Sequence, residues 1–172
     1  MLLKYFKLVC KKIIKSFSSP NNYAEMLGVS FGENCKFLTK EFGSEPYLIT
    51  MGKNVELSFG VVFINHDGAL WVVRNKYVKY RSSDLIKRIN IGDNVFVGAR
   101  TTILPGVDIG DDVIIGAGSL VNKKLESGFV YAGVPARKIS SLDEYIEKNR
   151  NKFINTKEKS PLEKRDYLER IL

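Results

Sequence analysis

Residues 91–126 read IGDNVF VGARTT ILPGVD IGDDVI IGAGSL VNKKLE, and the same pattern returns every six residues. Each hexad begins with a β-branched aliphatic residue, and its fifth position is small or β-branched in every hexad but the last. Weaker copies of the pattern occur at 31–35, 51–55 and 57–61. Glycine takes the second position in four of the six hexads, as Gly92, Gly98, Gly110 and Gly116.

A period of six excludes the common regular elements. A helix of 3.6 residues per turn would spread the aliphatic position around all of its faces, and a meander of alternating strands would not place glycine after each aliphatic residue. Very short strands separated by bends fit the pattern, because the aliphatic residue then points inward, glycine relaxes the backbone at the bend, and the small fifth residue fits a tight interior corner. The pattern therefore predicts a β-solenoid.

The composition is that of a globular chain with an excess of positive charge. Of its 172 residues, 44% are hydrophobic and 27% are charged, which suits a single domain with a sizeable core. The 27 basic and 19 acidic residues give a net charge of +8, and the pI is about 9.4. We expect an anionic partner, which this charge leaves open as a phosphorylated ligand, a nucleic acid or an anionic membrane surface.

Features near the N-terminus bear on the location of the protein. Cys10 and Cys35 form no metal-binding or redox spacing, and no apolar run is long enough to span a bilayer. Lysines interrupt the apolar residues of 1–17, which is atypical of a signal peptide, so a cytoplasmic protein is expected. The predicted basic amphipathic helix at 2–17 either packs on the first coil of the solenoid or contacts the inner face of an anionic membrane.

Three further segments give the repeat a family resemblance: FGSEPYLI (42–49), FINHDG (63–68) and YAGVPARKI (131–139). Together with the hexads, they resemble the hexapeptide-repeat acyltransferases, and within that family the branch that O-acetylates sugars of capsules, exopolysaccharides and O-antigens. The resemblance covers roughly residues 29–139. It implies an all-β solenoid in the form of a left-handed parallel β-helix, assembled as a homotrimer with active sites between subunits, which uses acetyl-CoA as acyl donor and no metal.

This resemblance and the helical patterns divide the chain into three parts. Residues 1–28 are expected to form a helical cap, with a short helix at NYAEMLG (22–28), and residues 29–139 the β-helix domain with a loop at 68–84. Residues 140–172 are expected to form a C-terminal helical segment of two pieces, broken near Ser160–Pro161.

His66, the only histidine in the chain, is the candidate general base. A neutral imidazole can take the proton of a sugar hydroxyl as it attacks a thioester and can then protonate the departing thiolate. Asp67 is a candidate for orienting the ring, and Asn65 for positioning the acceptor. If the loop at 68–84 replaces a single bend, the hexad at 63–68 stacks on hexads 97–102 and 115–120.

The resemblance also assigns residues to the donor. Glycine and alanine in hexads 97–102 and 115–120 would form a smooth groove for the pantetheine arm of CoA, and a backbone N–H near its start would stabilise the oxyanion. Two cations of YAGVPARKI fall where the family places the phosphates of CoA. The expected donor-binding residues are Gly98, Ala99, Gly116, Ala117, Arg137 and Lys138.

A long interruption of the repeat follows His66. The segment ALWVVRNKYVKYRSSD (69–84) is rich in aromatic and basic residues, and a long excursion in a compact repeat fold is commonly functional. We expect a lid over the acceptor, with Trp71 contacting a sugar ring and Arg74 a phosphate. A solvated basic flap is the alternative.

Other functions were weighed against sugar O-acetylation. N-acetylation of an amino sugar nucleotide uses the same fold and remains the main alternative, and a non-catalytic binding scaffold is a more remote one. A carbonic anhydrase on this solenoid needs several histidines around zinc, which a chain with one histidine does not supply. No nucleic-acid-binding motif accompanies the positive charge, so a nucleic-acid partner is not expected.

Overall fold

A computed structural model describes residues 15–172 of the chain. Its β-strands are short and its helices stand at the ends of the chain or in one loop. The strands are β1 (Ser30–Phe31), β2 (Lys36–Phe37), β3 (Ile49–Met51), β4 (Glu56–Leu57), β5 (Val62–Phe63), β6 (Ile89–Ile91), β7 (Val95–Val97), β8 (Thr102–Ile103), β9 (Asp108–Ile109), β10 (Val113–Ile115), β11 (Leu120–Val121), β12 (Phe129–Ala132) and β13 (Arg137–Ser141). The helices with both ends described are α1 (Pro20–Met26), α2 (Leu70–Lys76), α3 (Leu142–Asn149) and α4 (Pro161–Ile171).

The strands form three sheets that the chain visits in turn. The first sheet has the order β1-β3-β6-β9, the second β13-β12-β10-β7-β4-β2, and the third β11-β8-β5. All neighbouring strands are parallel except β12 and β13. Ile91 pairs with Ile109, and Val97 with Ile115, so partners in a sheet are three hexads apart. Three hexads therefore make one turn of a three-sided coil, which agrees with the β-solenoid predicted from the repeat.

The first and fifth residues of each hexad fill the interior of the coil, as the repeat predicted. The six first-position aliphatics of 91–126 are at most 4% exposed, and the fifth-position residues at most 2%. Aromatic rings fill the wider start of the coil, where Phe37 packs edge-on against Phe31 and Phe42 stacks on Phe63. Burial of these side chains supplies the hydrophobic stabilisation of each rung.

The prediction that the second-position glycines relax the backbone at the bends is wrong. None of the four has a positive φ, and the left-handed bends fall at the fourth hexad position instead, as at Asn94, Gly106 and Asp112. The glycines are required by the next coil: a Cβ on Gly98 would lie 2.4 Å from the backbone nitrogen of Ala117. Close stacking of successive coils, and not bending, selects glycine at this position.

Both ends of the chain carry helices. The short helix expected near residue 23 is confirmed as α1, which begins after Ser19, whose hydroxyl accepts from the backbone N–H of Asn22. The predicted basic helix at 2–17 lies almost wholly outside the described residues, so both of its predicted roles stay predictions. Across 15–172, no helix has the length and apolarity needed to cross a bilayer.

Of the described residues, those up to Leu142 form one compact unit, and Asp143–Leu172 form a second, smaller one. The predicted break in the C-terminal helices is confirmed, since α4 begins at Pro161 with Ser160 as its N-cap. Ser160 and Glu163 form a reciprocal capping box. In the first unit, β13 continues to Ser141, past the boundary expected at residue 139.

Candidate active site

His66 lies at the neck of the loop, where the chain leaves the coil and returns to it. The backbone N–H of Asp67 donates to the carbonyl of Leu85 at 2.8 Å, and that of Lys87 to the carbonyl of Asn65 at 2.9 Å. His66 itself forms an antiparallel bridge with Ile86. The neck thus holds the histidine on ordered backbone while the loop projects from it.

The stacking expected for the hexad at 63–68 is wrong. Phe63 pairs with Ile103, so this hexad stacks on 103–108 and not on 97–102 or 115–120. The loop departs after the third sheet, and the chain resumes on the first sheet with β6 beside β3, so no face of the coil is skipped. Ala99 and Ala117 follow strands β7 and β10 of the second sheet, and His66 does not share their face.

Two carboxylates flank the imidazole of His66. Glu45 Oε1 lies 3.9 Å from Nδ1, and Asp84 Oδ1 lies 3.4 Å from Nε2. The His66 side chain is 31% exposed, yet its Nε2 atom is buried and makes no hydrogen bond. Two acidic groups beside one imidazole would stabilise the imidazolium that forms when the ring accepts a proton.

Asn65 fixes the turn that carries Glu45. Its side chain is fully buried; Nδ2 donates to the Glu45 carbonyl at 2.5 Å, and Oδ1 accepts from the Glu45 N–H at 3.3 Å. Gly43 in the same turn has φ +73°, and a Cβ there would lie 2.7 Å from Asn65 Oδ1. Asn65 therefore positions Glu45 beside the histidine, and burial prevents the direct contact with an acceptor that we expected of it.

Asp67 does not contact the ring of His66. Its Oδ1 accepts from the backbone N–H of Ala69 at 2.9 Å, a local bond of the Asx-turn type that directs the chain into α2. Neighbouring residues on extended backbone point to opposite sides, and the neck preserves that alternation. The carboxylates that do approach the ring come from distant positions, Glu45 and Asp84.

The loop is more ordered than a solvated flap. It contains α2 and a single 3-10 turn at Val78–Tyr80. Arg74, on α2, pairs through Nη1 with Asp84 and donates to the Ser83 carbonyl at 2.9 Å. The indole of Trp71 is 67% exposed. Trp71 is thus free for an acceptor, whereas Arg74 already has a partner next to His66.

The expected donor groove is formed by its alanines more than by its glycines. Gly98 is buried, and its N–H donates to the carbonyl of Ile115 at 2.8 Å, so it is not free to bind an oxyanion. Gly116 and Ala99 are half-buried, and Ala117 is exposed. Small side chains at 99 and 117 leave a low surface on the second-sheet side of the coil.

The two expected phosphate-binding cations have unequal surroundings. Lys138 Nζ lies 2.6 Å from Glu126 Oε2 and 3.4 Å from the centre of the Phe129 ring. The hydrogen bond and the charge of Lys138 lower the pKa of Glu126. Arg137 is exposed, and its side chain donates a hydrogen bond to the adjacent Ala136 carbonyl at 3.3 Å. Arg137 is the better placed of the two to meet an anion.

Sequence reasoning identified His66 but missed both of its acidic neighbours. Glu45 lies in the quoted segment FGSEPYLI, one coil before His66, and Asp84 is the last residue before the hexad register resumes. The signal for Asp84 was its place at the return of the loop, because the two ends of an inserted loop must come together where it leaves the coil.

Comparison with known proteins identifies the family of the chain. Residues 88–123 match the family model described as bacterial transferase hexapeptide (six repeats). The chain is 46% identical over 145 residues to protein CapG of Staphylococcus aureus, which covers 83% of each chain. It therefore matches a full-length relative, well beyond the repeats alone.

Two solved structures share the fold. A galactoside acetyltransferase in complex with coenzyme A is 28% identical with a TM-score of 0.53, over 76% of this chain and 61% of that one. A hexapeptide-repeat acetyltransferase from Vibrio cholerae complexed with acetyl coenzyme A is 25% identical with a TM-score of 0.52, over 67% of this chain and 61% of that one. With CapG and the family model, these likenesses place the chain in the hexapeptide-repeat acetyltransferase family.

Proposed function

We propose that this chain transfers an acetyl group from acetyl-CoA to a hydroxyl group of a saccharide, with His66 as general base. The observation that carries the proposal is the position of the histidine between Glu45 and Asp84, on a neck that opens into a loop with an exposed tryptophan. The family likeness supports an acyl transfer and a left-handed winding of the coil.

The chemistry requires one base and a water-poor site. His66 takes the proton of the acceptor hydroxyl as its oxygen forms a bond to the thioester carbonyl carbon. When the C–S bond breaks, the imidazolium returns that proton to the sulfur, so the products are an acetyl ester and the free thiol of CoA. Glu45 and Asp84 stabilise the positive charge that the ring carries between these two steps.

Donor binding is proposed for the second-sheet side of the coil. Ala99 and Ala117 leave room for an extended pantetheine arm to lie against the backbone, and Gly98 and Gly116 let the coils beneath it stack closely. Arg137 would bind a phosphate of CoA, because its guanidinium pairs with no carboxylate within residues 15–172.

We further propose that the site is completed by a second copy of the chain. His66 and the alanines at 99 and 117 lie on different faces of one coil, so a homotrimer would let the groove of one subunit meet the histidine of the next. Mixed oligomers test this: inactive His66→Ala and Ala117→Phe subunits should regain part of the activity when assembled together. No recovery in stable mixed oligomers would count against a shared site.

The proposal that the acceptor is a saccharide rests on the loop at 68–84. The exposed indole of Trp71 suits the face of a sugar ring, and a galactoside acetyltransferase is among the similar structures. The donor is an intracellular metabolite, so we infer a cytoplasmic reaction on a polysaccharide precursor, such as a nucleotide sugar or lipid-linked saccharide.

An acceptor panel tests the proposed function. The protein is incubated with acetyl-CoA and nucleotide sugars, amino sugar nucleotides or lipid-linked saccharides, and thiol release and product mass are measured. We expect a product whose acetyl group is removed by mild alkali, as for an ester. An alkali-stable amide would establish N-acetylation instead, and acceptor-independent hydrolysis alone would contradict the proposal.

A further inference from the structure

The Nε2 atom of His66 is buried, and its surroundings limit how the ring can be oriented. Nε2 is buried without a hydrogen bond, although 31% of the side chain is exposed, so the exposed part of the ring lies away from Nε2. The carboxylate oxygen facing Nε2 is Asp84 Oδ1, at 3.4 Å. A buried polar atom without a partner is costly, and a small rotation would give Nε2–H an acceptor in Asp84.

Asp84 is itself held by the loop. Arg74 projects from α2 and contacts both the carboxylate of Asp84 and the carbonyl of Ser83. The Arg74 side chain is only 25% exposed, against 47% for Asp84. A paired, partly buried guanidinium therefore fixes the carboxylate at the end of the loop that lies against the histidine.

The charged groups around the imidazole come from three elements. Glu45, on the preceding turn, faces Nδ1; Asp84, on the returning loop, faces Nε2; and Arg74, on α2, reaches the ring only through Asp84. Asp67 is turned towards Ala69. Of these groups, Asp84 is the one whose position depends on the loop.

We propose that Asp84 is a positioning residue for His66 and that Arg74 anchors it, an inference that rests on the proposed function. A neutral imidazole has one N–H and one lone pair. Asp84 lies nearer to Nε2, at 3.4 Å, than Glu45 lies to Nδ1, at 3.9 Å. The proton is therefore placed on Nε2 and directed at Asp84, and His66 presents the lone pair of Nδ1 to the acceptor hydroxyl. The loop then has two roles: it covers the acceptor, and through Arg74 and Asp84 it selects the tautomer and orientation of the base.

A role in catalysis differs measurably from a role in holding the neck together. If Asp84 orients the base, its loss lowers kcat and leaves the KM for acetyl-CoA unchanged, because the orientation matters at the transition state. If the pair only stabilises the neck, its loss lowers the melting temperature and raises the KM for the acceptor, since the lid is then displaced.

The test is a double-mutant cycle on the full-length protein with its best acceptor. We expect Asp84→Ala to lower kcat about 10- to 100-fold, the usual cost of losing the partner that orients a functional histidine, and Arg74→Ala to lower it in the same direction. The double mutant should be no worse than Asp84→Ala alone, because the two residues act as one unit. Added formate should partly restore Asp84→Ala and leave His66→Ala unrestored.

A matched ion pair serves as the control. Lys36 and Glu56 pair at 3.4 Å between neighbouring coils, with 65% and 43% exposed side chains, and removing either should leave kcat unchanged. A wild-type kcat in Asp84→Ala, or strictly additive losses in the cycle, would overturn the inference. These results are separable from failure of the proposed function, which would show as a wild-type protein without transfer or a fully active His66→Ala.

Discussion

Asn65, His66 and Asp67 are consecutive, yet their side chains have three different surroundings. Asn65 is buried against the Glu45 backbone, His66 lies between two carboxylates, and Asp67 bonds to the start of α2. The sequence makes the imidazole the candidate base because it is the only one in the chain. It does not identify the partners of the ring, since these come from a different coil and from the far end of the loop.

Asp67→Asn tests whether Asp67, the chain neighbour of His66, has any part in orienting the imidazole ring. The amide oxygen of asparagine can still accept from the Ala69 N–H, so the loop should start normally. We expect kcat within about threefold of wild type, because the Asp67 side chain bonds to the Ala69 N–H and that bond is kept. A large drop in kcat at unchanged stability would return Asp67 to the role of orienting the ring.

Asn65→Ala should damage both stability and activity. The change leaves the N–H of Glu45 without its partner and leaves the Glu45 carbonyl with only the N–H of Leu48, in a partly buried turn, at up to about 1–3 kcal/mol for an unsatisfied group. We expect a lower melting temperature and a lower kcat as Glu45 loses its fixed position. Asn122→Ala, at an exposed position, is the control. Equal melting temperatures for the two variants would contradict the role of the Asn65 side chain in fixing the Glu45 backbone.

Of all the elements, the loop at 68–84 differs most from what the sequence predicted. Aromatic and basic residues predicted a lid, but α2 has no buried residue and no polar N-cap, so its helical form was not predicted. The pairing of Arg74 with Asp84 also could not be read from spacing, because it depends on how the helix turns back to the neck. Trp71 is the residue for which the predicted acceptor contact still stands.

Trp71→Ala should therefore weaken the use of the acceptor. Loss of an exposed aromatic platform removes the stacking surface for a sugar ring, and we expect a higher acceptor KM with acetyl-CoA binding unchanged by calorimetry. Val72→Ala, a neighbour on α2 with 66% exposure, should leave both quantities unaltered. Weaker acetyl-CoA binding in Trp71→Ala, with a normal acceptor KM, would assign the loop to the donor instead.

Strand β13 carries the two cations expected to bind the phosphates of CoA. Because Lys138 is already paired with Glu126, whereas Arg137 pairs with no carboxylate in the part of the chain that the structure describes, Arg137→Ala should raise the KM for acetyl-CoA more than Lys138→Ala does. Neither change should lower kcat much, since phosphate contacts are the same in the ground and transition states. The KM values for acetyl-CoA and 3′-dephospho-acetyl-CoA check this; an unchanged KM in Arg137→Ala would make this cation ordinary surface.

At the scale of the whole molecule, the repeat predicted the coil and its interior, because inward aliphatics at a period of six leave few other folds. It did not predict which coil stacks on which across the interruption, since a loop of unknown path can return on any face. The register of Phe63 with Ile103 settles that question. Its consequence is that a single chain does not bring His66 to the side of the coil that carries Ala99 and Ala117.

The most direct test of this account is acceptor-dependent thiol release from acetyl-CoA, measured for the wild type and for His66→Ala with the same saccharide. We expect the wild type to release thiol and form an acetyl ester only when the acceptor is present. His66→Ala should keep its oligomeric state and melting temperature and lose about 100- to 10,000-fold in turnover, the usual contribution of a general base. Wild-type turnover by a folded His66→Ala protein would contradict the account.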